Sequence, residues 1–271
     1  MKIARLAIAL IAVVALSGCS SPDEKAHEFG TWASTLEYVA SVDANSESAH
    51  LVVDGTITDD ELVSLSEALR DRAASQDLSA VDINLIVGNA WGFSVDDDGA
   101  NVATINQLRN DQLFVGATVG YRPLDSTGSE STGSDATGSD STGSDSTGSD
   151  AASFDAEGVR GTVGSQAALR DAPAALVAAV LDNGGDVDGV RVSVATADGA
   201  FGITGEGDQQ PLGAIQLWQA ISGRVMLSTA RATLVSNTPE SLEITVASAD
   251  DQATAQAIAA DYPDITLTVH L

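Results

Sequence analysis

The stretch Val81-Asp82-Ile83-Asn84-Leu85-Ile86-Val87-Gly88-Asn89-Ala90-Trp91-Gly92-Phe93-Ser94-Val95 holds two runs of alternating apolar residues around a polar, glycine-led break. Successive side chains of a strand point to opposite faces. Val81, Ile83, Leu85 and Val87 therefore share one face, and Trp91, Phe93 and Val95 share another. A three-residue turn pairs Val87 with Trp91 and Leu85 with Phe93 and brings both sets to the same side. A two-residue turn would split them. The expected element is an antiparallel hairpin with one apolar face, and that face needs a second layer to cover it.

The same signals recur on both sides of this hairpin. Upstream, Thr35 to Val42 and Ala49 to Ile57 read as strands, and Thr58-Asp59-Asp60-Glu61 is a capping box opening a helix with Leu62, Leu65 and Leu69 on one face. Downstream, strands are expected near Leu113 to Tyr121 and Gly158 to Val163. A helix over Ala167 to Leu181 then stops at Asn183-Gly184-Gly185. Val190, Val192 and Val194 alternate next, and a two-residue turn at Asp198-Gly199 pairs Thr196 with Phe201 and Val194 with Ile203. A helix from near Pro211, strands at Val225 to Val235 and Leu242 to Ala247, a helix over Asp250 to Asp261 and a strand at Ile265 to Leu271 complete the series. The expected class is α+β, built of five tandem strand-strand-helix units and a closing strand. The expected sheet is mostly antiparallel with helices on one face. Val81 and Val190 stand 109 residues apart and Phe93 and Phe201 stand 108 apart, an offset that suggests duplication.

This pattern is interrupted over residues 125–157. Five pentapeptides of the form Ser/Ala-Thr-Gly-Ser-Asp/Glu run from Ser126 to Asp150. With no large apolar side chain and one acid per unit, burial cannot offset the ordering entropy of such a tract, so a low-complexity acidic spacer is expected there. The spacer divides the body into halves at residues 34–124 and 158–271.

The N-terminus carries a different kind of signal. Lys2 and Arg5 precede an apolar run from Leu6 to Leu16, which is shorter than the roughly 20 residues a bilayer-spanning helix needs. Leu16-Ser17-Gly18-Cys19 follows it. This arrangement resembles the lipobox of bacterial lipoproteins, which implies a signal peptide over residues 1–18 and acylation at Cys19. Residues 19–33 then read as a polar tether. Cys19 is the only cysteine of 271 residues, so the body has no disulfide to rely on. The expected location is the extracytoplasmic face of a cell membrane, held by acyl chains worth about 0.8 kcal/mol per buried methylene.

Net charge is −27, and −29 once residues 1–18, with Lys2 and Arg5 and no acid, are removed. Only Lys25 and nine arginines then remain. Nucleic acid is excluded as an expected partner, because binding it rests on neutralising phosphates with Lys and Arg.

Val52-Val53-Asp54-Gly55-Thr56-Ile57, a helix and Val81-Asp82-Ile83 form one block. Val159-Arg160-Gly161-Thr162-Val163, a helix and Val190-Arg191-Val192 form another. In this order the chain resembles the BON family of bacterial envelope proteins, with Gly55 and Gly161 as the motif glycines. The resemblance implies a non-catalytic binding or scaffold module for an envelope protein, lipid or wall polymer.

Signals of chemistry are sparse. Asp54 to Glu61 looks like the second half of an EF-hand loop, but His50 and Val52 occupy the first two ligand positions, and a strand rather than a helix precedes. Asp96-Asp97-Asp98-Gly99 reads as a solvated turn. His27, His50 and His270 are too scattered to form a zinc set, no Gly-x-Ser-x-Gly elbow occurs, and Gly205-Glu206-Gly207 lacks the third glycine of a dinucleotide fingerprint. Trp91, Phe93 and Trp218 suit the core better than a glycan platform. The expectation is no catalytic residue, no metal and no cofactor. Three functional classes stay open: a binding scaffold, marked by an extended face; a small-ligand or glycan receptor, marked by an apolar cleft; and a hydrolase, marked by a buried acid pair.

Replacing Cys19 by Ala is expected to abolish acylation and leave an uncleaved or released protein. Palmitate labelling and membrane fractionation measure this, and unchanged labelling and retention would contradict it.

Overall fold

The computed structural model of the protein describes residues 21–120, 158–236 and 238–271. Its elements run α1 (Pro22–Ala33), β1 (Val39–Ala44), β2 (Ser48–Val53), α2 (Asp59–Ser75), β3 (Asp82–Val87), β4 (Trp91–Ser94), α3 (Ala100–Asn110) and β5 (Phe114–Val119). After the spacer come β6 (Gly158–Val163), a 3-10 turn (Gln166–Arg170), α4 (Ala172–Asp182), β7 (Arg191–Thr196), β8 (Phe201–Glu206), α5 (Leu212–Ser222), β9 (Leu227–Thr233), β10 (Ser241–Val246), α6 (Ala249–Ala259) and β11 (Thr266–His270). Cys19 and the pentapeptides lie outside the described residues.

All eleven strands form one sheet in chain order. The α+β class is as the sequence predicts, and the hairpins are antiparallel: β1 with β2, β3 with β4, β5 with β6, β7 with β8 and β9 with β10. Where a helix intervenes the neighbours are parallel, as in β2 with β3 and β6 with β7, so antiparallel and parallel pairings alternate. The predicted hairpin registers are found, with Leu85 opposite Phe93, Val87 opposite Trp91 and Val194 opposite Ile203. Gly88 takes a positive φ of 60° in the first turn, a conformation costly for any residue with a Cβ.

The register stacks most apolar residues of the strands on one side, and these join the helices in a single core. Leu51, Leu85, Phe93, Val163, Val194, Leu242 and Ile244 are all at most 1% exposed. Helices supply Leu62, Leu69, Ile105, Leu176, Leu217 and Ile221, each also at most 1% exposed. Because the strands cross the sheet in chain order, keeping all helices on one side makes successive crossovers alternate in hand, against the usual right-handed preference.

Helix α2 begins as predicted. The Thr58 hydroxyl accepts from the Glu61 N–H at 3.4 Å, while the Glu61 carboxylate accepts from the Thr58 N–H at 2.9 Å. The N-terminal segment differs from its expectation, since Pro22–Ala33, read as part of a polar tether, is helix α1. Ser21 caps it and Pro22 suits its first turn. Ala26, Phe29 and Ala33 are buried, a spacing of three and four that places one stripe on the core edge. The polar residues between them hide that stripe in a composition-level reading. Trp32 is also covered, by the Arg72 guanidinium 5.4 Å above its ring.

The two motif glycines have different physical roles. A Cβ on Gly161 would stand 2.6 Å from Phe114 Cε1 and 3.4 Å from Leu176 Cδ2, so only glycine leaves room for the Phe114 ring in the core. A Cβ on Gly55 would meet nothing closer than Gly88 Cα at 3.4 Å. Gly161→Ala is therefore expected to lower stability by about 1–3 kcal/mol through overpacking, and Gly55→Ala to stay within about 0.5 kcal/mol of the parent. Thermal unfolding followed by circular dichroism measures both, and equal midpoints for the two variants would contradict the assignment.

Candidate functional site

The helices cover one side of the sheet, so the other side is the largest surface that the fold leaves open. Its residues are mostly the polar members of each strand's alternation, with Val52 and Ile86 as an apolar pair near one end. Following the registers from β5 to β11, Thr118, Arg160, Ser193, Thr204, Thr233, Ser241 and Thr266 stand directly opposite one another. Six strand spacings of about 4.8 Å make this row roughly 29 Å long. Six of its seven members are hydroxyls, each able to donate and to accept, and the seventh is a guanidinium. Ser193 and Thr204 hydrogen bond at 3.2 Å, and Thr229 donates to Thr245 at 2.8 Å on the same face.

The charges on this face are of both signs, Arg160, Arg191 and Arg231 against Asp43, Asp82, Glu206 and Glu243. Arg191 faces Glu206 and Arg231 faces Glu243 across neighbouring strands. Hydrogen bonds from Ser236, with a smaller contribution from Arg191, hold the Glu206 carboxyl below the usual carboxylate range. Glu243 also meets His270 at 2.9 Å. At the opposite end His50 lies opposite Asn84, and burial lowers the imidazole below its ordinary value, against the opposing pull of Asp43 and Asp82. A protein of net charge −27 thus carries one broad face that is close to neutral and rich in hydroxyls.

Among the described residues, several concavities lie around the sheet and its helices. A cleft of about 410 Å³ at one end is lined by Asp82, Asn84, Ser94, Asn101 and Asp186 beside Val119, Val159 and Val180. Asn101 spans it, donating to the Ser94 carbonyl at 3.0 Å and the Ser94 hydroxyl at 3.2 Å. A smaller cleft of about 290 Å³ contains Arg70, Asp96 and Asp98. Burial, and then the adjacent Asp98 carboxyl, push Asp96 above the usual range, while the backbone N–H of Asn101 pulls it back. The hydrogen bond with Asp96 holds Asp98 low. These acids start α3: Asp96 accepts from the Asn101 N–H at 3.0 Å and Asp98 from the Ala100 N–H at 3.3 Å. Their interaction is visible in the pattern Asp96-Asp97-Asp98-Gly99 only as a turn, because nothing in the spacing reveals that Asp96 is half-buried.

The other sequence candidates are dispersed. Gly161 lies on the helix-covered side and Gly55 in an exposed turn after β2, so the two do not meet on the open face. Asp54 accepts from the Thr56 N–H and hydroxyl at 2.8 Å each, and Glu61 accepts from Thr58 and, at 2.7 Å, from the Tyr38 hydroxyl. That last bond raises Tyr38 to about 12. The EF-hand-like acids are thus engaged in turn and cap contacts. Phe93 and Trp218 are core, at 0% and 6% exposed, and Trp218 stacks on Phe201 at 5.9 Å. His27 is exposed on α1, far in sequence from the face. Among the described residues no helix is long and apolar enough to cross a membrane, and no group of three or more His, Cys, Asp or Glu could hold a metal.

Fold and face together define an α+β protein with one helix-covered and one open side of an eleven-stranded sheet. Comparison with protein-family models, curated proteins and solved structures finds no match to the chain.

Proposed function

We propose that the protein is a lipid-anchored protein of the cell envelope, acylated at Cys19, whose tandem strand-strand-helix, BON-like body is a non-catalytic binding scaffold for another envelope component. The observation that carries this reading is the hydroxyl row from Thr118 to Thr266 on the uncovered side of the sheet. It is long, close to neutral and fixed by the strand registers, which suits hydrogen-bonded recognition of an extended surface better than turnover. The hydroxyl of Ser193 is bonded to another hydroxyl, that of Thr204, and not to a general base, so it has no activated nucleophile's partner. The pair of half-buried Asp96 and exposed Asp98, which would favour a hydrolase, has a structural use at the start of α3.

Placing arginine at both Ser193 and Thr204 adds bulk and charge in mid-row on a solvent-facing surface. Binding of the purified protein to detergent-solubilised envelope components, measured by sedimentation, is expected to fall at least about tenfold with an unchanged circular dichroism spectrum. Unchanged binding would contradict the role of the face. Turnover of a peptidoglycan, glycan or ester substrate, lost in Asp96→Asn, would replace the scaffold reading by the hydrolase one.

A further inference from the structure

We propose that the β11 edge is a self-association surface, at which two copies of this chain pair β11 with β11 antiparallel about a two-fold axis at Thr268. The two edges of the sheet are not alike. Edge strand β1 has a bulge between Val39 and Ser41, carries Asp43 and is backed by α1, whose Gly30 leaves only 3.2 Å between a Cβ there and Ala44 Cβ. Bulges and charges of this kind blunt an edge. β11 has neither device: it pairs with β10 over five residues without a bulge, and Thr266-Leu267-Thr268-Val269-His270 contains no proline and no acid.

The core is also unfinished at this edge. On β10 the core-facing Leu242, Ile244 and Val246 are 0%, 0% and 2% exposed, whereas on β11 the corresponding Leu267 and Val269 are only half-buried. Helix α6 above them buries only Ala255. A further strand would cover both side chains.

Backbone directions select how that strand runs. The Thr266 N–H donates to the Glu240 carbonyl at 2.9 Å, so Thr266, Thr268 and His270 turn their backbone groups toward β10. Leu267 and Val269 turn theirs to the open edge. In an antiparallel pair centred on Thr268, Leu267 of one copy and Val269 of the other exchange both hydrogen bonds, twice over. The four apolar side chains then meet on the core side, and the two Thr268 side chains meet on the open side. The pairing also continues the sheet's own alternation, since β10 with β11 is parallel and every earlier parallel pair is followed by an antiparallel one. Charge permits the contact in an otherwise acidic chain, because the only ionisable group on β11 is His270, already bonded to Glu243. Such an isologous contact closes as a dimer.

The test uses the full chain carrying Cys19→Ser in mild detergent, so that any introduced thiol is the only one. Sedimentation equilibrium is expected to give a dimer mass. Thr268→Asp sets two carboxylates side by side at the axis and is expected to raise the dissociation constant at least about tenfold, with an unchanged circular dichroism spectrum. Thr268→Cys is expected to form a covalent dimer on mild oxidation, and Thr266→Cys, which faces His270 of the second copy, is not. A monomer in the parent chain, a dimer indifferent to Thr268→Asp, or cross-linking at Thr266→Cys but not at Thr268→Cys would each overturn the proposal.

Discussion

The pairing of β5 with β6 is the contact on which the architecture depends. Without it the chain would be two smaller sheets joined by an acidic tract. With it, one sheet and one core run through all eleven strands. The contact is made by few atoms of special shape. A bulge between Phe114 and Gly116 turns Phe114 toward the core, and the missing side chain of Gly161 leaves space for its ring. Thr118 opposite Arg160 continues the open-face row across the same seam. Core continuity and face continuity therefore share one cause, which is the register of β5 on β6.

Much of this was legible in local patterns. Alternation with period two located Ile83, Leu85, Val87, Trp91 and Phe93 on one face, and turn length fixed their partners, because a loop one residue shorter or longer would have moved half of them into water. Thr58 and Glu61 announced the start of α2 for an equally local reason, the mutual satisfaction of backbone donors. Helix α1 was less visible, since Ala26, Phe29 and Ala33 form a narrow stripe whose value appears only when the β1 edge is there to receive it. The parallel pairings were hidden too: they follow from each crossover helix returning the chain to the same end of the sheet, which no single window of sequence contains.

The candidate site was legible in still smaller part. Its hydroxyls are the polar members of each strand's alternation, and in sequence they look like ordinary solvent-facing positions. Only the accumulated registers of seven strands show that Thr118, Ser193, Thr204, Thr233, Ser241 and Thr266 stand in one row. Formal charge misled in the same way. A chain of net charge −27 gives no hint that one broad face sets Arg191 against Glu206 and Arg231 against Glu243 and stays near neutral. Gly55 and Gly161 stood out because glycine is conspicuous in a strand, yet one proves to be a packing device and the other an ordinary turn residue.

If one core spans both halves, they must unfold together, and the tract between β5 and β6 must be dispensable for that. The most direct measurement deletes Ser126 to Asp150 and follows thermal unfolding by fluorescence in two single-tryptophan variants, one retaining Trp91 in the first half and one retaining Trp218 in the second. Shortening the connection should change stability by only about 1 kcal/mol, because closure entropy grows with the logarithm of loop length. The account predicts, in each variant, one transition whose fluorescence midpoint coincides with the midpoint of far-ultraviolet circular dichroism. A fluorescence midpoint that departs from the circular dichroism midpoint in either variant, or loss of folding on deletion, would contradict a single continuous sheet.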